Sequence, residues 1–353
     1  MGRCIHCRKE GTEISEPLGI CLSCIREHFP AVKDHLAAVH GRSRRMYSLP
    51  PGIPREQGVT CPGCANACGI PKEGKGYCGV RENHQGRLMH LGGIPARGLL
   101  FWYFDPLPTN CVADWVCSGH RAQGCKNLAV FYHSCTFDCL FCQNWQFREP
   151  FQGQPVSSEE LAGRVDDRTH CICYFGGDPS SQMPHAIKAS RLALKKKKDL
   201  RICWETNGNL TRPFLKEMLR IALESGGCIK FDLKTGSEAL SLALCGVSNR
   251  QVKKNFAWLA GSISARPDPS LLIASTLMVP GYVDEEEVHG IAEFIAALNP
   301  DIPYSLLAFH PQFLMKDLPV TSRFQARACL KAAREAGLKN VQVGNIHLIQ
   351  DDL

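Results

Sequence analysis

Three cysteines in the middle of the chain have the residue type and spacing that iron–sulfur chemistry requires. Cys135, Cys139 and Cys142 lie in the stretch Phe-Tyr-His-Ser-Cys-Thr-Phe-Asp-Cys-Leu-Phe-Cys-Gln-Asn-Trp. Three thiolates on one short loop can bind three irons of a four-iron, four-sulfur cluster and leave the fourth iron without a protein ligand. The spacing therefore predicts a cluster with one iron open to a reacting molecule. A zinc knuckle or a chance grouping is the alternative interpretation.

Four cysteines near the N-terminus form two Cys-x2-Cys pairs separated by thirteen residues. Two such pairs can place four thiolates tetrahedrally around one ion, as in a structural zinc ribbon. A module this small buries too little apolar surface to fold alone, so metal binding would supply much of its folding free energy. We predict a structural zinc ion bound by Cys4, Cys7, Cys21 and Cys24.

A second set of four cysteines follows in a glycine-containing context, Cys-Pro-Gly-Cys-Ala-Asn-Ala-Cys and then Gly-Tyr-Cys-Gly-Val. Four thiolates separated by turns can bind zinc or an auxiliary iron–sulfur cluster, and spacing alone leaves both open. Of the two, zinc is our preferred interpretation. The four residues are Cys61, Cys64, Cys68 and Cys78.

A third set lies just before the cluster motif and consists of Cys111, Cys117 and Cys125. His120 lies beside these cysteines in the sequence. These side chains could form a further metal or cluster site, or could complete one begun upstream. They could also be buried small hydrophobic residues, which free cysteines often are. The sequence leaves these alternatives open.

Composition and cysteine usage indicate a globular protein of a reducing compartment. The chain has 353 residues, of which 44% are hydrophobic, and fourteen of its twenty cysteines fall in tight sets before residue 143. No apolar run approaches the ~18 residues of a membrane span, and the N-terminus has no signal-peptide core. We therefore expect a cytoplasmic protein with no membrane partner.

The net charge of +7 is modest for this length and is partly concentrated in the run 195–198. Such a run is more typical of a solvated helix end than of a nucleic-acid site. We accordingly expect no nucleic-acid partner.

The second half of the chain alternates apolar runs with amphipathic stretches. Strands are predicted at 128–132, 171–175, 201–204, 228–233, 271–278, 304–309 and 341–343, and helices at 157–165, 184–196, 213–224, 251–261, 284–298 and 322–336. This alternation predicts an α/β fold with a parallel sheet, an open or partial (β/α)6 TIM barrel. The cluster motif follows the first strand, at the end where such barrels carry active sites.

The distribution of cysteines predicts three parts of the chain. A zinc-ribbon-like module covers 1–50, a cysteine-rich second metal or cluster region covers 51–126, and the barrel covers 127–353. Residues 32–57 are basic and proline-rich, which predicts a linker.

The cluster motif, with Phe141 before its third cysteine, resembles that of the radical S-adenosylmethionine (SAM) superfamily. Its Cys-Gln-Asn-Trp ending, together with the second cysteine set and Gly-Tyr-Cys-Gly-Val-Arg-Glu-Asn at 76–83, narrows the resemblance. These motifs resemble those of radical SAM proteins of the AmmeMemoRadiSam type, which are relatives of pyruvate formate-lyase activating enzyme. The resemblance covers about 61–345.

The resemblance implies which residues bind the cofactor, because several motifs follow successive strands. Phe-Gly-Gly-Asp-Pro resembles a motif that binds the SAM amino group, with an Asp where Glu is usual. Glu-Thr-Asn-Gly and Asp-Leu-Lys resemble motifs that contact SAM or a monovalent cation. The resemblance implies that the lysine pairs with the SAM carboxylate. It also implies that a histidine after the sixth strand contacts the nucleoside of SAM. The implied residues are Phe141, Gly176, Gly177, Asp178, Glu205, Asn207, Asp232, Lys234 and His310.

The resemblance also implies an activity. An external one-electron reductant of the flavodoxin or ferredoxin type would reduce the cluster, SAM would be cleaved to methionine and a 5′-deoxyadenosyl radical, and the radical would abstract hydrogen from a substrate. By resemblance that substrate is a glycyl residue of a partner protein or another protein-linked target. The alternative from another functional class is a zinc-ribbon adaptor that binds RNA or protein and has a degenerate barrel.

Overall fold

The computed structural model describes residues 1–109 and 111–350. The N-terminal part of the chain contains three two-stranded antiparallel hairpins, in which β1 pairs with β2, β3 with β4 and β5 with β6. In chain order the elements of this part are β1 (Gly2–Arg3), β2 (Glu10–Gly11), α1 (Leu22–Glu27), α2 (Phe29–Arg45), β3 (Val59–Thr60), β4 (Gly69–Ile70), β5 (Arg81–His84) and β6 (Arg87–His90).

Helix α2 contradicts the predicted linker at 32–57. Val32, Leu36 and Val39 recur at helical spacing and are buried, so they form one apolar face of a 17-residue helix. The basic residues at its end gave the segment the composition of a linker, but cations are favourable at a helix C-terminus. The linker prediction is therefore wrong for 32–45, and a non-helical connection begins only after Arg45.

An eight-stranded sheet forms the centre of the molecule. Seven strands run parallel and lie side by side in sequence order, whereas β7 pairs antiparallel with β8 at one edge and β14 forms the other edge. The predicted α/β fold, an open partial barrel, is confirmed. The strands are β7 (Leu100–Pro106), β8 (Lys126–Tyr132), β9 (Thr169–Phe175), β10 (Arg201–Thr206), β11 (Ile229–Asp232), β12 (Leu272–Met278), β13 (Tyr304–Ala308) and β14 (Val341–Gly344).

Helices connect the parallel strands and cover their outer face. Most begin at a side chain that caps the first turn, such as Ser157, Asp284 and Ser322, each of which accepts a hydrogen bond from a backbone N–H three residues on. The helices are α3 (Ser158–Gly163), α4 (Met183–Lys196), α5 (Arg212–Ser225), α6 (Glu238–Cys245), α7 (Arg250–Ala260), α8 (Glu285–Leu298) and α9 (Arg323–Glu335).

The N-terminal part shares its hydrophobic core with the barrel. Tyr282, which follows β12, donates a hydrogen bond to the carbonyl of Ile20 and accepts one from the Ser15 N–H, each at 3.0 Å. Arg26 of α1 makes two hydrogen bonds to the Asp284 carboxylate, at 2.6 and 2.9 Å. The N-terminal helices are therefore packed onto the barrel, and the boundaries at 50 and 126 stay a prediction.

Membrane-spanning segments were sought in the two described ranges, 1–109 and 111–350. Neither range contains a helix that combines the length and the apolarity required to cross a bilayer.

Candidate functional site

One cavity at the carboxyl end of the parallel strands brings together eleven of the twelve residues predicted for the cluster and SAM. It combines three thiols, two glycines and side chains of both charge signs. The eleven residues are Cys135, Phe141, Cys139, Cys142, Gly176, Gly177, Asp178, Glu205, Asn207, Asp232 and Lys234.

The twelfth residue, His310, does not line this cavity. It follows β13 as expected, but its side chain is exposed, and its Nδ1 lies 3.1 Å from the carbonyl oxygen of Pro311. In this conformation it contacts the backbone beside it rather than the cavity.

The three thiols lie on a loop that backbone hydrogen bonds fix from two sides. The N–H groups of Asp138 and Leu140 donate to the carbonyls of Cys245 and Leu244, each at 2.9 Å, at the end of α6. The N–H of Asp178 donates to the Ser134 carbonyl at 2.8 Å. The loop conformation is therefore set by the β/α units of β9 and β11.

The spacing of the three thiols differs from that of a single-ion site. In the described part of the chain, the N-terminal cysteines are the one group of three or more potential ligand atoms that all lie within 4.8 Å of one another. The distances between the sulfur atoms of Cys135, Cys139 and Cys142 are thus larger than those around one zinc ion, whose Zn–S bonds are about 2.3 Å. A larger group that carries several metal ions fits this wider spacing better than a zinc knuckle.

Burial changes the acid–base properties of these thiols. Burial raises the pKa of Cys135 well above its ordinary value, and a hydrogen bond with the Cys245 thiol, followed by burial, does the same for Cys139. Thiolates at these positions consequently need nearby positive charge, which metal ions would supply.

A buried ion network surrounds Asp138, between the first two cysteines of the loop. Its carboxylate lies 2.9 Å from His40 Nδ1, 3.1 Å from Arg148 Nε and 3.6 Å from Arg44 Nη1. Burial alone would raise the pKa of Asp138, but the hydrogen bond from His40 and the two guanidinium groups lower it. Because His40 and Arg44 belong to α2, this network attaches the N-terminal helix to the cysteine loop.

Arg148 places a fully buried cation beside the thiols. Its Nε donates to Asp138 and its Nη2 donates to the Cys139 carbonyl at 3.2 Å. The described residues offer its Nη1 no acceptor of good geometry. Burial raises the pKa of Cys142, and the nearby guanidinium opposes this shift. A buried N–H without a partner beside three thiols fits an anionic group with sulfur acceptors in this cavity.

The Gly-Gly-Asp turn after β9 brings the backbone close to the cysteine loop. Both glycines have positive φ, +64° for Gly176 and +41° for Gly177. A Cβ on Gly176 would lie 1.9 Å from Phe131, and one on Gly177 would lie 2.2 Å from the Tyr132 carbonyl oxygen. Any side chain would therefore displace the end of β8 or this turn.

Asp178 lines the cavity, but its carboxylate is buried and is bound by other groups of the protein. Its carboxylate accepts hydrogen bonds from the N–H of Ser180 at 2.7 Å, the N–H of Asn207 at 2.6 Å and the Thr206 hydroxyl at 3.1 Å. Burial raises the pKa of Asp178 to about 6 despite these bonds. With these acceptor positions in use, Asp178 positions Asn207, whose Nδ2 lies 3.5 Å from Cys135 Sγ.

Two ion pairs lie on the other side of the cavity, on β10 and β11. Lys234 Nζ lies 2.6 Å from Asp232, which also accepts a hydrogen bond from Ser275 at 2.7 Å. Glu205 lies 3.0 Å from Lys230, whose side chain is only 1% exposed. The sequence analysis missed Lys230, although the two-residue period of β11 places it on the same face as Asp232.

The four N-terminal cysteines have the geometry of a tetrahedral metal site. The sulfur atoms of Cys4 and Cys24 are 3.8 Å apart, and those of Cys7 and Cys21 are 3.6 Å apart. Four sulfur atoms at about 2.3 Å from one zinc ion would have this spacing. Cys4, Cys21 and Cys24 are buried, so a closed structural site fits better than a site with an open position.

The second cysteine set lies next to the cluster loop. Asn66, between Cys64 and Cys68, donates from Nδ2 to the Thr136 carbonyl at 2.8 Å and accepts from Asn209 at 2.8 Å. Within the described ranges, no three sulfur atoms of the set are within 4.8 Å of one another, so a compact single-ion arrangement is not formed. Whether Cys61, Cys64, Cys68 and Cys78 hold zinc or a cluster stays open.

The third set is divided by the fold. Cys111 and Cys117 line a separate cavity inside the barrel together with strand cysteines, whereas Cys125 does not line it. None of the cysteines at 61, 64, 68 and 78 lines this cavity. The cysteines at 171, 173, 203 and 228, which the sequence analysis had counted only as strand residues, are the neighbours of Cys111 and Cys117 there.

Comparisons with known proteins identify a family match for the barrel. Residues 129–295 match the model of the Radical SAM superfamily. Two uncharacterized proteins of Methanocaldococcus jannaschii are 24% and 22% identical, each over 82% of this chain, and over 81% and 77% of their own lengths. A third protein of that organism, provisionally named a glycyl-radical enzyme activating enzyme, is 23% identical over 52% of this chain and 67% of its own.

Solved structures show more limited similarity. A domain of pyruvate-formate lyase-activating enzyme from Bacteroides vulgatus matches 49% of this chain and 98% of its own, at 19% identity and a TM-score of 0.40. Streptococcus suis SuiB bound to precursor peptide SuiA matches 61% of this chain and 47% of its own, at 17% identity and a TM-score of 0.46. The superfamily match does not favour the zinc-ribbon adaptor alternative.

Proposed function

Because residues 129–295 belong to the Radical SAM superfamily, we propose that this protein cleaves SAM reductively and uses the resulting radical to abstract hydrogen from a protein-linked substrate. The observation that carries the proposal is the single cavity that joins Cys135, Cys139 and Cys142 to the predicted SAM-binding residues. A four-iron, four-sulfur cluster with SAM at its open iron would supply the electron for cleavage to methionine and a 5′-deoxyadenosyl radical.

In this proposal the three thiolates of the cysteine loop bind the cluster. Arg148 contributes positive charge beside them and an N–H that is free to donate to a sulfur atom. Asn207 contributes an amide N–H 3.5 Å from Cys135 Sγ. Such N–H donors adjust the reduction potential of an iron–sulfur cluster and hold its ligands in place.

Charged groups at the rim of the cavity would bind the amino-acid end of SAM. Lys234 can pair with the carboxylate, and Glu205 and Asp232 can accept from the ammonium or hold a monovalent cation. The glycine turn lets SAM approach the backbone closely. Asp178 acts here as a positioning residue, because its carboxylate is already bound to Ser180, Thr206 and Asn207.

The substrate class is proposed from the relatives. A glycyl residue of a partner protein is the substrate that the name of the third M. jannaschii relative suggests. An open cleft of about 410 Å³ adjoins the SAM cavity and shares Asn144, Phe175 and Glu205 with it. It offers a route by which a loop of a partner protein could reach the radical. The electron would come from an external flavodoxin or ferredoxin.

The activity can be tested on anaerobically purified full-length protein. Iron, sulfide and zinc are counted per chain, and the protein is then incubated with SAM and dithionite. We expect 5′-deoxyadenosine and methionine in equal amounts, and none without reductant. Protein that holds zinc but cannot be loaded with iron, and that leaves SAM intact, would contradict the proposal.

The substrate proposal needs its own test. Protein that cleaves SAM is mixed with candidate glycyl-radical enzymes from the same genome and examined by electron paramagnetic resonance (EPR). A doublet signal that disappears when the partner glycine is replaced by alanine supports a glycyl target. SAM cleavage without a protein radical in any mixture would reject that substrate and leave the cleavage activity intact.

A further inference from the structure

A second cavity, of about 590 Å³, lies inside the barrel next to the SAM cavity. The two cavities share Phe175 and Glu205, so a group in one would lie directly beside the other. Six of the residues that line the inner cavity are cysteines. They are Cys111, Cys117, Cys171, Cys173, Cys203 and Cys228.

The position of these thiols follows from the strand register. Cys173 of β9 and Cys203 of β10 are paired residues of adjacent parallel strands, and Cys228 directly precedes β11. Barrel interiors are usually filled by branched aliphatic side chains at such inward positions. Here thiols from neighbouring strands face one another, and Cys111 and Cys117 approach from the segment between β7 and β8.

A buried ammonium lies among the thiols. Lys230 Nζ is 3.1 Å from Cys111 Sγ, 3.0 Å from Cys173 Sγ and 3.0 Å from Glu205. The Lys230 side chain is 1% exposed. Glu205 compensates the charge of this buried cation from one side. Two sulfur atoms lie equally close on other sides, so Lys230 can donate to thiolates as well as to the carboxylate.

The thiol spacing indicates a group larger than one ion. In the described part of the chain, no three of these sulfur atoms lie within 4.8 Å of one another, whereas the four N-terminal cysteines do. Thiolates select zinc, copper(I) or iron–sulfur clusters. Of these, an iron–sulfur cluster with several thiolate ligands is both anionic and large enough to span separated thiols.

We propose that the inner cavity binds an additional iron–sulfur cluster, with Cys111, Cys173, Cys203 and Cys228 as its ligands and Lys230 as its counter-ion. Cys111 and Cys173 lie 3.1 and 3.0 Å from Lys230 Nζ. Cys203 is paired with Cys173 on the adjacent strand, and Cys228 directly precedes the strand that carries Lys230. The site is separate from the loop of Cys135, Cys139 and Cys142. The inference does not depend on SAM cleavage, because a cluster can bind here whether or not the other one reacts.

The main test compares cluster content between cysteine variants of the full-length protein after anaerobic reconstitution. C173A/C203A/C228A should contain about four irons and four sulfides per chain fewer than the unchanged protein. It should retain the change in EPR signal that SAM produces at the other cluster. C329A removes a buried cysteine of α9, far from both cavities in the fold, and should contain the full amount.

An unchanged iron and sulfide content in folded C173A/C203A/C228A would overturn the proposal. If that variant does not fold, a second variant decides, in which the cysteines at 61, 64, 68, 78, 135, 139 and 142 are replaced by alanine. About four irons and four sulfides should remain in it, with the Mössbauer spectrum of a cluster. Zinc alone, a disulfide or no metal in the inner cavity would reject the inference. If the unchanged protein contains these irons but does not cleave SAM, only the proposed activity is rejected.

Discussion

Asp178 and Lys234 are both charged residues of the SAM cavity, but their surroundings give them different roles. The Asp178 carboxylate is bound by groups of its own turn and of the turn after β10. Lys234 is held by one carboxylate, Asp232, and both side chains remain about one-fifth to one-quarter exposed. A lysine with a single partially exposed partner can turn towards a ligand without breaking a buried network.

This difference predicts that Lys234→Met weakens SAM binding about ten- to a hundredfold, since a charge-assisted contact in a partly desolvated site is worth about 1.5–3 kcal/mol. Met keeps most of the apolar stem, so the change tests the charge rather than packing. The affinity is measured by equilibrium dialysis on reconstituted protein. Arg250→Met removes an exposed cation on α7 as a control. Full iron content with unchanged affinity for SAM would show that Lys234 pairs only with Asp232.

Sequence reasoning identified the residue types of the site but not all of their orientations. Motifs after successive strands had to converge, because parallel strands end at one edge of the sheet. The hydrogen bonding of the Asp178 carboxylate depends on N–H groups of the next β/α turn, which no local pattern reveals. Lys230 could have been found from strand periodicity. Its surroundings could not, because Cys111 reaches it from a segment more than a hundred residues away in sequence.

Helix α2 is the element whose role the sequence analysis got wrong. The basic residues of its last turns obscured the helical period of its apolar residues in the sequence. Some of these basic residues are buried in the folded protein. Arg44 is 2% exposed, stacks over the Tyr77 ring at 3.5 Å and lies 3.6 Å from Asp138. The helix therefore packs against the cysteine loop and does not act as a linker between two modules.

Arg44→Met should accordingly destabilise the protein by about 2–4 kcal/mol, because it removes one of the cations that compensate a buried carboxylate. We also expect faster loss of iron from the protein in the presence of a chelator, since Asp138 lies on the cysteine loop. Urea unfolding under anaerobic conditions measures the first effect. Arg42→Met, an exposed cation two residues earlier, is the matched control and should change neither quantity.

His185 of α4 makes the contact between α4 and β8 dependent on pH. Its Nε2 donates to the Val156 carbonyl at 2.9 Å, so its Nδ1 accepts from the Tyr132 hydroxyl at 2.8 Å, which requires the neutral ring. Burial lowers the pKa of His185 to about 4. Since the unfolded histidine has a pKa near 6.5, the unfolded state binds the proton first as pH falls.

The protein should therefore lose about 2 kcal/mol of unfolding free energy through His185 between pH 7 and pH 5. His185→Gln should reduce the pH dependence of stability by that amount. His84→Gln, at an exposed histidine of β5, serves as the control. An equal pH dependence in His185→Gln and in the unchanged protein would mean that His185 is protonated in the folded state.

At the scale of the whole molecule, the N-terminal cysteine module and the barrel form one packed unit. Sequence patterns predicted the grouping of the four N-terminal cysteines, because Cys-x2-Cys pairs are local, and predicted the barrel, because its periodicity is strong. They could not predict how the module packs, since Tyr282 and Asp284 meet it from more than two hundred residues away. The cysteines at 4, 21 and 24 are part of the same hydrophobic core as the strands.

The replacement Cys4→Ser/Cys24→Ser should remove one zinc ion per chain and lower the thermal midpoint, because metal binding supplies folding free energy to this module. The iron bound by the barrel should remain at first, since the N-terminal cysteines are not among the residues that line the cluster cavity. Zinc and iron are counted on the same sample. Full zinc content in the variant would show that the metal lies elsewhere in the chain.

The central claim is that Cys135, Cys139 and Cys142 hold the cluster at which SAM is cleaved. The most direct measurement is 5′-deoxyadenosine formation by C135A/C139A/C142A beside the unchanged protein and C329A, all reconstituted anaerobically with iron and sulfide. The triple variant should have about four irons fewer and form no 5′-deoxyadenosine, whereas C329A should match the unchanged protein. Deoxyadenosine formation at the unchanged rate by the triple variant would contradict the account.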